Sequence, residues 1–307
     1  MNHGVERPNP DGAGLTVQQA LAEARTQGMD RLDAQLIVGH VMQRPRSWLL
    51  AHDDATLSPA QTCDLRSLIA QRAQGIPMAY LLGEKEFHGL TLRVTPDVLI
   101  PRPDTETLVD WALELLGPDP LNVIDLGTGS GAIALALKAA RPAWRVHATD
   151  CSAAALAVAQ DNAQRLGLAL SLRRSHWLSD LGVDLAHDLA NEPPPLRFDL
   201  IVSNPPYIDA DDPHMAALHA EPRGALTPGP DGLVDLRHII ESAGPHLQPG
   251  AWLLLEHGWN QAPAVQSLLT QAGFEAVTTR KDLSGQPRCT AGRWPGDAGS
   301  SGLPYPP

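Results

Sequence analysis

A chain of 307 residues, 43% hydrophobic and 19% charged, carries enough apolar side chain for a real core, which excludes a disordered tail and makes two domains the expectation. Lysine and arginine total 23 against 35 aspartate and glutamate, and a net charge of -12 argues against a protein whose main affinity comes from neutralising phosphates. The three cysteines, Cys63, Cys151 and Cys289, lie far apart with no Cys-x-x-Cys and no Cys/His ligand spacing, so neither a disulfide framework nor a metal site is expected.

Met1 to Gly14 is polar and lacks the basic start and apolar run of a signal peptide. No stretch approaches the roughly 18 apolar residues of a membrane span. A soluble, cytoplasmic protein without membrane contact is the expectation. From Leu15 to about Leu82, apolar residues recur at three and four spacing (Leu21 and Ala24, then Leu32, Leu36, Ile37 and Val41), interrupted by Gly28 and Pro45. This predicts a small helical domain over residues 1–84, with seven arginines against nine acids. It is nearly neutral, so it is the part best suited to an anionic partner. Phe87 to Ile100 then alternates through Leu90, Leu92, Val94, Val98 and Ile100, predicting a β-hairpin linker over 85–103. Pro101 to Glu106 stops that strand and opens a helix, because proline suits a first turn and Asp or Thr caps it.

Beyond Asp104, short apolar strands alternate with helices. Strands are predicted at Val123–Leu126, Val146–Asp150, Leu168–Leu172, Phe198–Ser203, Trp252–Glu256 and Phe274–Thr279. Helices run to Ala140 and Leu166, around Leu233–Leu247, and to Ala272. That rhythm is an α/β, doubly wound, Rossmann-like sheet over 104–294. Gly182 to Arg197, with three consecutive prolines, reads as a loop insertion, and 295–307 as a flexible tail.

The first of these strands runs into Asp125-Leu126-Gly127-Thr128-Gly129-Ser130-Gly131 and then a helix. Such a turn lets backbone approach a ligand at a helix N-terminus, whether a dinucleotide or another nucleotide cofactor. Asp150 ends the next strand, where a carboxylate can accept ribose hydroxyls or cap the helix that follows. Trp177, after the third strand, suits either stacking on an adenine or packing in the core. The fourth strand ends in Asn204-Pro205-Pro206-Tyr207. A planar nitrogen conjugated to a carbonyl or ring is a poor nucleophile, so methylating it requires acceptors that hold its NH2 with the lone pair aimed at the electrophile. The Asn204 side-chain oxygen and the Pro205 carbonyl are two such acceptors, Pro206 stiffens the loop, and Tyr207 offers a flat face for a planar amide or base. A dehydrogenase has no use for two NH2 acceptors there.

Asp125–Gly131 together with Asn204–Tyr207 resembles S-adenosylmethionine-dependent methyltransferases of planar nitrogens. Gly75-Ile76-Pro77 with Tyr80 and Gly83, Phe87-His88-Gly89-Leu90, Leu99 to Glu106, Glu221-Pro222 with Ala225-Leu226, and Leu255-Glu256-His257-Gly258 narrow the resemblance to the peptide chain release factor glutamine N5-methyltransferase family, over roughly residues 15–294. The resemblance implies a class I methyltransferase with a seven-stranded sheet and an N-terminal helical domain that helps hold the release factor. It also implies methylation of the glutamine in that factor's Gly-Gly-Gln loop; a monomer without direct nucleic-acid contact is the expectation. Carried onto this chain, it places Gly127, Thr128, Gly129, Ser130 and Gly131 around the methionine part of S-adenosylmethionine, Asp150 on the ribose, Trp177 on the adenine, and Asn204, Pro205, Pro206 and Tyr207 on the substrate amide. Two positions depart from the pattern, Asp104 where the family usually has Glu and His176 where it has an acid. Glu256 and His257 are expected to be a satisfied polar pair without chemistry. Rival readings are a glutamine methyltransferase of a ribosomal protein, which shares both motifs, and an adenine N6-methyltransferase, which calls for a basic face that this chain's charge does not favour.

Overall fold

The computed structural model describes residues 14–179, 181 and 197–296. The predicted insertion lies outside these apart from Arg197, and so does the tail beyond Gly296. The chain separates into two compact units that divide between Gly83 and Glu84.

The first unit is helical: α1 Val17–Thr26, α2 Arg31–Met42, α3 Arg46–Ala51, α4 Pro59–Ala73 and α5 Met78–Leu82. The starts of α1 and α4 follow from their sequences, since Thr16 with Gln19 and Ser58 with Gln61 close reciprocal capping boxes and Pro59 fills the first turn of α4. Asp30 caps α2 on the Asp33 N–H. The apolar stripe predicted by spacing is the core of this unit, with Val17, Ala20, Ile37, Val38 and Leu65 wholly buried. Arg72 of α4 reaches Asp33 of α2 at 2.8 Å and ties the two helices.

The second unit opens with a hairpin, β1 Glu84–Phe87 and β2 Leu90–Arg93, paired antiparallel through the two-residue turn His88-Gly89. Both turn residues take positive φ, 48° and 77°, as a tight hairpin that matches strand twist requires. The strand pairing therefore begins earlier than alternation predicts, and Val98 and Ile100 are buried without belonging to a strand. Glu84, Lys85 and Glu86 conceal β1 because only Phe87 of that strand is buried.

Thereafter come α6 Glu106–Leu115, β3 Asn122–Leu126, α7 Ala132–Ala140, β4 Arg145–Asp150, α8 Ala153–Leu166, β5 Ser171–Arg174, β6 Phe198–Ser203, α9 Val234–Ala243, β7 Leu247–Glu256, α10 Ala262–Gln271, β8 Glu275–Lys281 and β9 Pro287–Arg293. The sheet has seven strands in the order β5-β4-β3-β6-β7-β9-β8, and only β9 runs antiparallel to its neighbours. Helices cover both faces of β3, β6 and β7, which explains why these strands read as continuous apolar runs rather than alternations. β5 begins three residues later than predicted, because Leu168 and Leu170 pack against the core from the loop ahead of it. β9 escapes sequence reading altogether. Its buried positions are Cys289, Thr290, Ala291 and Gly292, small residues in a slot between two strands where bulk would not fit. The chain reverses direction across the sheet between β3 and β6, so loops leaving β3, β4, β5 and β6 gather at one crevice beyond their carboxyl ends.

Candidate active site

The turn after β3 is shaped by three glycines in left-handed conformation, Gly127 (φ 71°), Gly129 (57°) and Gly131 (85°). The Thr128 N–H donates to the Thr149 carbonyl, and the Gly129 N–H donates to Asp150 Oδ2 at 2.9 Å, so the turn is fastened to the end of β4. Asp150 Oδ1 accepts the Ser152 N–H at 2.9 Å. Ser152, not Asp150, caps α8, by accepting from the Ala155 N–H. That leaves lone pairs on both Asp150 oxygens for a ligand, since a carboxylate has about four acceptor positions. Asn162 of α8 adds a second fastening: its amide nitrogen donates to the carbonyls of Arg93 and Ser130, and its oxygen accepts the Arg93 N–H.

Asp125 sits beneath the turn, wholly buried. Thr128 donates its hydroxyl to Oδ2 at 2.7 Å, while Oδ1 closes no hydrogen bond with the described residues. Burial pushes this carboxyl up to about 7. A buried oxygen without a partner under a glycine cradle is what an amine-bearing ligand would satisfy.

Beyond β5, Trp177 takes a positive φ of 53° that turns its indole back over the glycine turn. A Cβ on Gly127 would lie 3.0 Å from its ring, so that position admits only glycine. The indole N–H donates to Asp235 of α9 at 3.3 Å. His176 is exposed and sets its ring edge-on to Trp177.

At the end of β6, Ser203 donates its hydroxyl to the Leu126 carbonyl at 2.7 Å and locks the two strands that flank the reversal point. Asn204 follows, its amide nitrogen donating to Thr105 Oγ1 at 3.2 Å. Its oxygen takes no hydrogen bond from the described residues. Tyr207 turns its hydroxyl onto Glu256 Oε1 at 3.1 Å, and burial beside that carboxylate raises the phenol above its ordinary range. Glu256 is wholly buried and pushed up to about 7 by desolvation. The Thr105 hydroxyl faces the same carboxylate, whose Oε2 closes no hydrogen bond with the described residues. The expectation of a satisfied Glu256–His257 pair holds for the histidine alone: Nδ1 faces the Gly258 carbonyl and Nε2 the Thr290 hydroxyl, and burial lowers its pKa.

These loops enclose a cavity of about 270 Å³. Gly127, Gly129, Asp150, Trp177, Asn204 and Pro206 line it together. Thr128, Ser130, Gly131, Pro205 and Tyr207 do not: the first three act from behind the turn, and Tyr207 points at Glu256. Asp97 to Leu99 with Pro222, Gly224 and Ala225 form a further wall, together with Asp235, and none of these is expected at the site from the sequence. Glu221 buckles that wall: it accepts the Ile100 N–H at 3.1 Å and pairs with Arg102. The Glu221-Pro222 and Leu99-Ile100 motifs were visible in the sequence, but nothing in either announces a partner 121 positions away.

A doubly wound sheet with one antiparallel strand, a glycine cradle, a carboxylate one βαβ step later and an asparagine-proline loop at the reversal point define an S-adenosylmethionine-dependent methyltransferase. The comparisons with known proteins agree. Residues 16–83 match the PrmC N-terminal domain and residues 112–228 the methyltransferase small domain. A release factor glutamine methyltransferase of Bordetella pertussis is 49% identical over 86% of this chain and 95% of its own length, and one of Xylella fastidiosa is 46% identical over 90% and 98%. Among solved structures, the hMettl16 catalytic domain in complex with an RNA hairpin superposes with a TM-score of 0.52 at 16% identity, covering 78% of this chain and 83% of that one, which is a likeness of fold. The chain belongs to the release factor glutamine methyltransferase family.

Proposed function

We propose that this enzyme methylates the side-chain nitrogen of the glutamine in the Gly-Gly-Gln loop of class I peptide chain release factors, working in the cytosol as a monomer. The observation that carries this reading is Asn204: its amide nitrogen is engaged by Thr105 and its oxygen is left open at the cavity, ready to accept a hydrogen from a planar NH2. The match of residues 16–83 to the PrmC N-terminal domain and the names of the relatives favour a release factor over a ribosomal protein as substrate. The net charge of -12 favours a protein substrate over a nucleic acid.

S-adenosylmethionine, when bound, supplies the electrophilic methyl group. Asp150 would accept the ribose hydroxyls, the glycine turn Gly127 to Gly131 would hold the methionine part, and Trp177 would wall the adenine. Asn204 Oδ1 and the Pro205 carbonyl accept the two hydrogens of the substrate NH2. Held so, the amide plane is fixed and the face that carries the nitrogen lone pair would be turned to the methyl donor, and orientation of this kind contributes several kcal/mol to such a reaction. Pro205 and Pro206 bring no N–H that would compete for the amide and fix the loop's φ. The nitrogen loses its extra proton to water, so no side-chain base is needed.

The test uses methyl-tritiated S-adenosylmethionine with a purified unmodified release factor and the same factor bearing Gln→Ala in its Gly-Gly-Gln loop. Label should enter the first and not the second. Equal labelling of both, or of neither, contradicts the proposed substrate.

A further inference from the structure

An asparagine side chain turned over by half a rotation presents an NH2 where it had presented an oxygen, so a role as acceptor demands something that fixes its direction. In this structure the fixing group is Thr105, whose Oγ accepts the Asn204 amide nitrogen at 3.2 Å across 99 residues of sequence. Thr105 is only 4% exposed and stands in the short turn Pro103–Thr105 ahead of α6. The neighbouring Asp104 pairs with Arg288 of β9 at 3.2 Å, and Arg288 is itself held by Asp282 at 3.0 Å, which pins that turn against the sheet. The Thr105 hydroxyl faces Glu256 at the end of β7.

An ionised carboxylate only accepts hydrogen bonds. The Thr105 proton is therefore drawn to Glu256, leaving an Oγ lone pair directed at Asn204, which only an N–H can meet. The same carboxylate takes the Tyr207 hydroxyl at 3.1 Å, so one buried acid, with no exposed surface, holds Tyr207 directly and faces the hydroxyl that holds Asn204. We propose that Thr105 and Glu256 are positioning residues for methyl transfer: they orient the Asn204 amide with its oxygen toward the cavity and its nitrogen away. The inference rests on the reading of Asn204 as the acceptor for the substrate NH2. It gives Glu256 work that its place beside a buried histidine had concealed.

The charged and titratable groups around Glu256 are Tyr207, Arg288, Asp104 and Cys289. Burial holds its carboxyl at about 7, so protonation below that pH gives Thr105 a donor instead of an acceptor and releases the asparagine. Glu256→Gln installs an NH2 with the same consequence at every pH.

The experiment compares wild type, Thr105→Val, Thr105→Ser and Glu256→Gln in full-length protein at pH 8.5, reading kcat with release factor, calorimetric affinity for S-adenosylmethionine, and the side-chain NH2 signals of Asn204 in 15N spectra without substrate. Those signals are identified by their loss in Asn204→Ala. Thr105→Val should lower kcat about 10- to 100-fold and shift the Asn204 signals, with cofactor affinity unchanged, and Thr105→Ser should restore both. Wild-type kcat should rise with pH through about 7, whereas Glu256→Gln should be low and flat. A Thr105→Val enzyme with kcat within about twofold of wild type and unmoved Asn204 signals overturns the inference. If wild type transfers nothing to release factor, the substrate reading fails, and the Asn204 signals still decide whether Thr105 and Glu256 set the amide.

Discussion

The Gly129 N–H donates to Asp150 Oδ2 at 2.9 Å, so the glycine turn after β3 and the carboxylate that ends β4 form a single hydrogen-bonded piece. Asp150 therefore supports the cradle and faces the cavity at once. Asp150→Ala should weaken S-adenosylmethionine binding by roughly 1.5–3 kcal/mol, about 10- to 100-fold, because charged hydrogen bonds to a ligand are lost and the turn is loosened. Titration calorimetry checks it, and an affinity within about twofold of wild type contradicts the assignment.

Gly127→Ala should destabilise the fold. At φ 71° a side chain costs about 1–2 kcal/mol, and its Cβ would meet the Trp177 ring at 3.0 Å. Thermal melts should show the loss, and combining it with Trp177→Leu should give a penalty smaller than the sum of the two, since the collision is removed. Strict additivity would mean that the ring does not rest on the turn.

Burial raises both Asp125 and Glu256 to about 7, far above where these groups ionise in an unfolded chain. Between those values the folded state holds protons that the unfolded state has released, so stability falls as pH rises from about 4.5 to about 7. For Glu256, from 4.5 to about 7, the contribution approaches about 3 kcal/mol. Urea unfolding of Glu256→Gln across this range should show a flatter pH dependence than wild type, with the variant gaining relative stability toward pH 8. Parallel curves would contradict the account of this carboxyl.

Glu221 holds the Ile100 N–H and Arg102, joining the two segments of the cavity's far wall. Glu221→Ala should cost about 1–3 kcal/mol. It should also speed hydrogen exchange at Ile100 and through residues 223–225 while leaving Gly129 protected. Unchanged exchange at Ile100 would show that the wall is held by packing alone.

Much of the second unit was legible in the sequence because its strands are sandwiched between helices: Val123–Leu126 and Phe198–Ser203 announce themselves as apolar runs. β9 did not, since its slot takes cysteine, threonine, alanine and glycine. β1 did not either, its outward residues being Glu and Lys. At the site, Gly127, Gly129, Asp150 and Asn204 were readable because each sits where a strand ends and its residue type has a local meaning. Thr105, Glu221, Asp235 and Glu256 act through partners 99, 121, 58 and 49 residues away, and such pairings are invisible to any window along the chain. Tyr207 was readable as part of a motif, but its side chain lies against Glu256 instead of lining the cavity.

The central claim is that Asn204 presents a release-factor glutamine for methylation. Mass spectrometry of the Gly-Gly-Gln tryptic peptide, after incubation of purified release factor with enzyme and S-adenosylmethionine, tests it most directly. One methyl group should appear on the glutamine with wild type and vanish with Asn204→Ala, while calorimetry shows cofactor still bound. A peptide of unchanged mass with the wild-type enzyme, or one methylated equally well by Asn204→Ala, contradicts the account.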